Sequence, residues 1–313
     1  MNEDIKCAAN KIYIDGSCFA LDDLQLMAES YNNLDGNLDK INISNNKKKL
    51  VNQITNKLDN VCSDQICWLR QKFVRNLKND EINKNTFRPV GPEGKNDWLS
   101  TVHINEVMAQ YEKKYNDFKF YGAVPIDFDE ISYYGIKNMD LDKLYNDGIR
   151  KIGFVFNLDE SWQSGSHWVS LFIDLKNSDF SGGSKNKINL PKIYFFDSYA
   201  IKPEKRIRKL MQRIGKWCYK KIYCNNSCDL TESQNSDKIF KNNKTKIEKK
   251  INIEYSRIRH QRGGSECGVY SIEFILNFLE GKTLDDFNKK RIPDELVNLE
   301  RNKLFRFKNN PFK

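Results

Sequence analysis

Cys267 stands where a glycine-rich turn leads into an apolar helix, in the segment HQRGGSECGVYSIEF at residues 260–274. The unpaired N–H groups and the positive dipole end at a helix start favour the thiolate form of a cysteine. A thiolate is a strong nucleophile, and the first helical turn also offers a backbone N–H to an oxyanion. The position therefore predicts acyl chemistry, although an isolated intracellular cysteine is more often a buried packing residue.

A cysteine nucleophile needs a base, and the chain has three histidines. His103 falls inside a predicted amphipathic helix, where a surface or packing role is expected. His260 lies seven residues before Cys267 on the incoming strand and is expected beside the turn rather than pointing at the sulfur. His167 begins a predicted strand, which makes it the candidate base.

Two more polar residues complete the predicted site. Asp197 ends the next strand, in the segment IYFFDS, and adjacent strands can bring it to His167 as the acceptor that orients the imidazole. Asp174 is the alternative acceptor, but it would face elsewhere if side chains alternate along the histidine strand. Gln261, six residues before Cys267, can add an amide N–H to the same oxyanion hole.

The segments SGSHWVSLFIDL, IYFFDS and HQRGGSECGVYS, taken in this order, resemble those of the ubiquitin-like-protein-specific and adenoviral-type cysteine proteases. The resemblance implies that His167 is the general base, Asp197 its orienting acid, Gln261 the side-chain oxyanion donor and Cys267 the nucleophile. It spans residues 97 to about 281. The first 85 residues lie outside it.

The same resemblance implies a substrate tunnel. Trp168 matches the tryptophan that follows the histidine, and Trp98, in WLSTVHINEV, matches the tryptophan at the start of a family helix. Two indoles around a narrow tunnel admit little beyond glycine, which is the steric reason for cleavage after Gly-Gly or similar tails. For both residues the alternative is a simple core aromatic.

The N-terminal helical region, the FRPVGP segment and GFVFNLDESWQSGSHW look most like the maturation proteases of large DNA viruses such as asfarviruses and poxviruses. This implies a cysteine endopeptidase that cleaves Gly-Gly-X type sites in viral capsid or core polyproteins during virion maturation, without a cofactor. Three alternatives stay open. They are a SUMO or ubiquitin-like deconjugating protease, an acetyltransferase with the same triad order, and a basic nucleic-acid-binding virion protein with a vestigial triad.

The charge balance gives +10, from 52 Lys and Arg against 42 Asp and Glu. This excess is compatible with a weak association with nucleic acid. Much of it lies in Lys- and Asn-rich stretches such as SNNKKKL (44–50) and IFKNNKTKIEKK (239–250), which favour solvated loops instead. The main partner that the resemblance implies is a protein substrate with Gly-Gly-X type sites, a polyprotein or a ubiquitin-like protein.

No apolar run of eighteen residues and no signal-peptide core occur, so we expect no membrane span and no secretion. Together with the resemblance to viral maturation proteases, this implies a location in the host cytoplasm or virion. The eight cysteines lack the density and pattern of a disulfide framework, and a reducing compartment is expected. The pairs CSDQIC (62–67) and CNNSC (224–228) have no histidine nearby and spacings unlike those of zinc sites. No metal is expected.

The pattern of elements predicts an α+β fold, with a central mixed sheet flanked by helices and the nucleophile at a helix N-terminus. Predicted strands cover 151–159, 167–176, 192–200 and 252–260; predicted helices cover 97–114, 204–223 and 267–281. Asp97 is the expected N-cap of the first of these helices. The predicted domains are an N-terminal helical arm or exosite region (1–85) and a catalytic domain (86–313).

Overall fold

A computed structural model of the protein describes residues 7–94, 96–175, 191–223 and 252–307. By spatial proximity the chain divides into two compact units. The larger unit comprises Gly94–Arg301, and the other comprises the residues up to Glu93 together with those from Asn302 onward. The boundary after Glu93 falls inside the Pro- and Gly-rich segment at 86–97. The predicted division after residue 85 stays a prediction.

The smaller unit contains five short helices, which surround an apolar core of their own. They are α1 (Leu21–Asn32), α2 (Lys47–Leu58), α3 (Gln65–Trp68), α4 (Lys72–Arg75) and α5 (Asp80–Asn85). Side-chain caps start several of them: the Asn46 side chain accepts from the Lys49 N–H at α2, and Asn79 accepts at α5. Such caps satisfy N–H groups that have no partner inside the helix.

Two disulfides, Cys7–Cys18 and Cys62–Cys67, lie in this unit. The prediction that the cysteines form no disulfide framework is therefore wrong for these four residues, whose pairing depends on tertiary contacts. Cys218 and Cys267 are free and buried. The CNNSC pair at 224–228 lies outside the described residues.

The larger unit is built on a five-stranded sheet in the order β1-β2-β3-β4-β5. The strands are β1 (Phe118–Pro125), β2 (Lys151–Asn157), β3 (Trp168–Asp174), β4 (Lys192–Phe196) and β5 (Asn252–Tyr255). The outer pairs β1/β2 and β4/β5 are parallel, whereas β2/β3 and β3/β4 are antiparallel. The sheet is mixed, and the predicted α+β class is confirmed.

Six helices of the described residues complete the chain: α6 (Thr101–Lys114), α7 (Leu141–Asn146), α8 (Lys205–Tyr223), α9 (Cys267–Leu279), α10 (Leu284–Lys289) and α11 (Asp294–Leu304). A short 3-10 helix covers Ser132–Tyr134. In α9 nearly every residue is buried, and the helix packs against β2 and β3. A helix that is apolar on all sides belongs in the core, which explains why its first residue, Cys267, is buried.

Helix α6 begins four residues later than its pattern predicts. Its N-cap is Ser100, whose Oγ accepts from the His103 N–H at 3.3 Å, while the Ser100 N–H donates to His103 Nδ1 at 3.1 Å. Asp97, the predicted cap, instead accepts from the Gly94 N–H at 2.8 Å. The prediction for Asp97 is wrong, because its carboxylate bonds to the Gly94 N–H before the helix begins. Ser100 and His103 cap the helix instead, through their two reciprocal hydrogen bonds.

Candidate active site

The start of β3 and the end of β4 lie at the same end of the sheet, because the two strands are antiparallel and Ser170 pairs with Phe196. His167 immediately precedes β3, and Asp197 immediately follows β4. The segments that follow β4 and β5 remain in contact, since the His260 and Gln261 N–H groups both donate to the Ser198 carbonyl oxygen. The sheet thus delivers all the predicted site segments to one end.

His167 is held between Asp197 and Cys267. Its Nε2–H donates to Asp197 Oδ1 at 2.8 Å, which leaves Nδ1 for the Cys267 thiol with which the side chain also hydrogen-bonds. Burial lowers the pKa of His167, but the bonds to Asp197 and Cys267 outweigh burial and raise it to about 9. The arrangement favours the imidazolium form of His167.

Gln261 is fully buried beside the nucleophile turn. Its Oε1 accepts from Ser198 Oγ at 2.7 Å, and its Nε2 donates to the Gly263 carbonyl oxygen at 3.0 Å. A longer contact of 3.5 Å joins the same nitrogen to Glu266 Oε2. The amide is therefore fixed in orientation, with one of its two N–H groups only weakly engaged.

A buried arginine braces the turn before Cys267. Arg301 donates from its guanidinium to the carbonyl oxygens of Asp97 and Ser265, at 2.8 Å and 2.9 Å. Its Nε donates to Asn298 Oδ1 at 2.8 Å, and the Asn298 amide donates in turn to Glu266 Oε1 at 3.2 Å. These bonds join the residue before Trp98 to the two residues before Cys267.

Trp98 and Trp168 line one cavity of about 410 Å³. Trp98 is half exposed, whereas Trp168 is buried and donates its indole N–H to the Leu99 carbonyl oxygen at 2.9 Å. Leu99 also lines the cavity and lies against the start of α9, since a methyl group added at Gly268 would be 3.0 Å from Leu99 Cβ. Cys267 and His167 are not among the residues that line the cavity, but Leu99 lies against the residue after Cys267, and Trp168 directly follows His167.

The connection between β2 and β3 forms a polar wall of the same cavity. Asp159 joins the two ends of this connection, because its carboxylate accepts from the Gly165 N–H at 3.1 Å and from Ser166 Oγ at 2.6 Å. Gly165 has a φ of +92° and lies so close to Asn157 that an added methyl would be 2.8 Å from its Nδ2. Only glycine fits this position without strain.

Within the described ranges no group of three or more His, Cys, Asp or Glu side chains is placed to hold a metal ion. In the same ranges, no helix combines the length and apolarity that crossing a membrane requires.

Comparison with known proteins decides the family. The profile described as "Ulp1 protease family, C-terminal catalytic domain" matches residues 152–310, about half of the chain. The chain belongs to the Ulp1 protease family. It is accordingly a cysteine protease, and the resemblance drawn from the histidine, aspartate and cysteine segments is confirmed at the level of the family.

Two relatives of this Ulp1-family protease come from large DNA viruses. A protein of Acanthamoeba polyphaga mimivirus, named as a thiol protease, is 33% identical over 314 residues that cover 95% of this chain and 91% of the relative. A cysteine protease of African swine fever virus is 25% identical over 281 residues, 83% of this chain and 90% of the relative. The crystal structure of the swine fever virus enzyme shares the fold, with a TM-score of 0.58 at 22% identity, over 88% of this chain and 95% of that one.

Residues that sequence reasoning missed also shape this Ulp1-family site. Ser198 orients Gln261, Leu99 forms the cavity wall beside α9, and Tyr199 stacks on His167. Ser198 and Tyr199 directly follow Asp197, so their position next to a predicted site residue was the available signal. Nothing local in the sequence marks Arg301 as part of this site, because the two carbonyl oxygens that its guanidinium holds are 36 and 204 residues away.

Proposed function

We propose that the chain is a cysteine endopeptidase in which Cys267 is the nucleophile and His167 the general base and acid. The Cys267 thiolate attacks a carbonyl carbon, and the backbone N–H of Cys267 and the Gln261 amide stabilise the oxyanion. The His167 imidazolium gives its proton to the departing amine, and an acyl-enzyme remains. Water deprotonated by His167 then hydrolyses this thioester, which releases the carboxylic acid and restores the pair.

The proposed cleavage site follows small residues, of the Gly-Gly-X type. The observation that carries this proposal is the cavity between Trp98 and Trp168, whose Leu99 wall packs on the helix that begins at Cys267. In this proposal the two indole rings flank an extended chain, leave room for glycine and obstruct larger side chains. Asp197 acts in this proposal as the residue that orients His167.

The proposed substrate is a viral capsid or core polyprotein that is processed during virion maturation. Support comes from the large-virus relatives, which match this chain over nearly its whole length. The proposed location is the host cytoplasm or the virion. The chemistry uses side chains and water only, so we propose no cofactor and no metal.

A deconjugating activity on SUMO-like proteins is the second candidate. It is favoured by the name of several swine fever virus relatives, which are called SUMO-1 cysteine proteases. The acetyltransferase and the nucleic-acid-binding alternatives lose support, because the chain is a member of a protease family. Association with nucleic acid remains compatible with the net charge of +10 as an additional property.

The test compares the purified protein with its Cys267→Ala variant on two kinds of substrate, short peptides with Gly-Gly-X or Ala-Gly-X and folded ubiquitin-like precursors. Products are followed by mass spectrometry. We expect cleavage of the short peptides after the second small residue, and complete loss of turnover in the variant with an unchanged melting temperature. Cleavage of folded precursors alone would assign the second candidate, and cleavage retained in Cys267→Ala would refute the mechanism.

A further inference from the structure

Tyr199 contacts three parts of the site at once. Its ring stacks on the His167 imidazole, with centroids 4.8 Å apart and planes inclined by 27°. Its backbone N–H donates at 2.8 Å to Asp197 Oδ1, the oxygen that also accepts from His167. Its hydroxyl donates at 3.0 Å to the Gly263 carbonyl oxygen, in the turn that leads to Cys267.

Arg259 extends this stack. Its guanidinium carbon lies 5.0 Å from the centroid of the Tyr199 ring, and its Nε donates at 3.1 Å to the Gln261 carbonyl oxygen. Burial raises the pKa of the Tyr199 phenol, and the nearby Cys267 adds to this effect. The hydroxyl therefore stays protonated and keeps donating to Gly263.

The geometry points to Tyr199 as a positioning residue that keeps the His167 imidazole aligned between Asp197 and Cys267. The imidazole is only 11% exposed, and the Tyr199 ring covers one of its faces. Without that ring, water can reach the His167–Asp197 bond and the imidazole gains freedom to turn away from the sulfur. Tyr199 acts through His167 rather than on the substrate, and this inference rests on the proposed roles of His167 and Cys267.

The contacts separate the role of the ring from that of the hydroxyl. Tyr199→Leu removes the stacking, whereas Tyr199→Phe removes only the half-exposed bond to Gly263. We expect kcat of the Leu variant to fall by about 10- to 100-fold, since small misplacements of a catalytic group have effects of this size. We expect its KM to stay within about twofold, because substrate binding is not touched. The Phe variant should keep kcat within about threefold of the original.

A readout without substrate distinguishes positioning from a merely structural role. The rate at which iodoacetamide alkylates Cys267, followed by peptide mapping, depends on the thiolate that His167 stabilises. This rate should fall about tenfold in Tyr199→Leu and hardly change in Tyr199→Phe. The matched control is Tyr145→Leu. The guanidinium carbon of Arg150 lies 3.7 Å from the centroid of the Tyr145 ring, and the ring also packs against Trp217 of α8.

Failure of the proposed function can be told apart from failure of this inference. If the proposed function is wrong, the unsubstituted protein itself will show no Cys267-dependent cleavage. If the original protein cleaves but Tyr199→Leu shows the same kcat and alkylation rate, the inference is wrong. A rise in KM alone would also overturn it, because it would place Tyr199 against the substrate. Should the Leu variant fail to fold, Tyr199→Trp replaces it, because tryptophan can still stack on His167. A folded Trp variant should retain kcat, and a loss of kcat in that variant would contradict the stacking role.

Discussion

His167 experiences two opposing influences on its charge. Burial disfavours the imidazolium, yet the hydrogen bond to Asp197 and the contact with Cys267 more than compensate and raise the pKa of His167 to about 9. The hydrogen bond to Asp197 is thus the main local reason that the imidazolium persists at neutral pH, and the charge of Asp197 adds to it. Because the folded-state pKa lies above the ordinary value of 6.5, this pair stabilises the fold below that pH, and the contribution is lost as pH rises through about 9.

Replacing Asp197 with Asn tests this balance. The substitution keeps the shape and removes the charge, so the pKa of His167 should fall and the alkaline limb of the kcat/KM profile should move from near 9 towards lower pH. We expect a loss of roughly hundredfold in kcat/KM at neutral pH. Steady-state rates between pH 5 and 10, on a Gly-Gly-X peptide, provide the measurement.

Asp174→Asn is the matched control for this prediction, because Asp174 is the other carboxylate of the histidine strand. It ends β3, six residues along from Trp168 and so about 20 Å from the start of the strand. Its pH profile should coincide with that of the original protein. An unshifted profile in Asp197→Asn, or a shifted one in Asp174→Asn, would remove Asp197 from the assigned role.

At the scale of elements, the start of α9 closely approaches the segment before α6, which lines the cavity. Gly268 is the second residue of α9, and Leu99 occupies the space that a side chain there would need. Trp168 is tied to the same Leu99 through its indole N–H. Glycine at position 268 therefore lets the start of α9 pack closely against Leu99 of the cavity wall.

We expect Gly268→Ala to destabilise the protein and to raise KM. Helix propensity alone would favour Ala by up to about 1 kcal/mol. An added methyl 3.0 Å from Leu99 Cβ overpacks the contact, and overpacking costs about 1–3 kcal/mol, so the steric effect should win. Urea unfolding and KM for the same peptide are the measurements.

Gly264→Ala controls for the loss of a glycine close to Cys267, since an added methyl there would meet no atom within 4 Å. Its free energy of unfolding should stay within about 0.5 kcal/mol of the original. Equal effects of the two substitutions would show that chain flexibility, and not the contact with Leu99, is responsible.

At the scale of the whole molecule, the two compact units differ in how their cores are stabilised. The unit that contains α1 to α5 has two disulfides in addition to its apolar core. In the unit Gly94–Arg301, the two cysteines within the described residues are free, and one of them is Cys267. A reductant should therefore lower the stability of the unit that contains α1 to α5, whereas in the unit Gly94–Arg301 it should keep the Cys267 thiol reduced.

We expect the Cys7→Ser, Cys18→Ser double variant to lose about 3 kcal/mol in free energy of unfolding, the value that loop-closure entropy gives for a loop of about twelve residues. The Cys62–Cys67 loop is shorter, so the corresponding double variant should lose less, about 2 kcal/mol. Urea unfolding with and without dithiothreitol measures both. Alkylation of these four cysteines in the unreduced protein, with no effect of dithiothreitol on unfolding, would contradict the prediction.

The sequence alone determined the site residues as candidates and the fold class. Cys267 at a helix start, His167 before one strand and Asp197 after the next follow from local patterns, because helix and strand periodicity and turn residues are short-range properties. The central strands and the long helices at 204–223 and 267–281 were located by the same patterns, to within a few residues at most of their ends.

The tertiary structure decided what depends on residues distant in the chain. It added strand β1, which pairs with β2 although no sequence pattern had singled it out, and the two disulfides, whose partners meet only in the folded unit. It placed Arg301 against Asp97 and Ser265, and Tyr199 against His167. Contacts of this kind are chosen by packing and by the need of buried polar groups for partners, and neither leaves a periodic signal along the sequence.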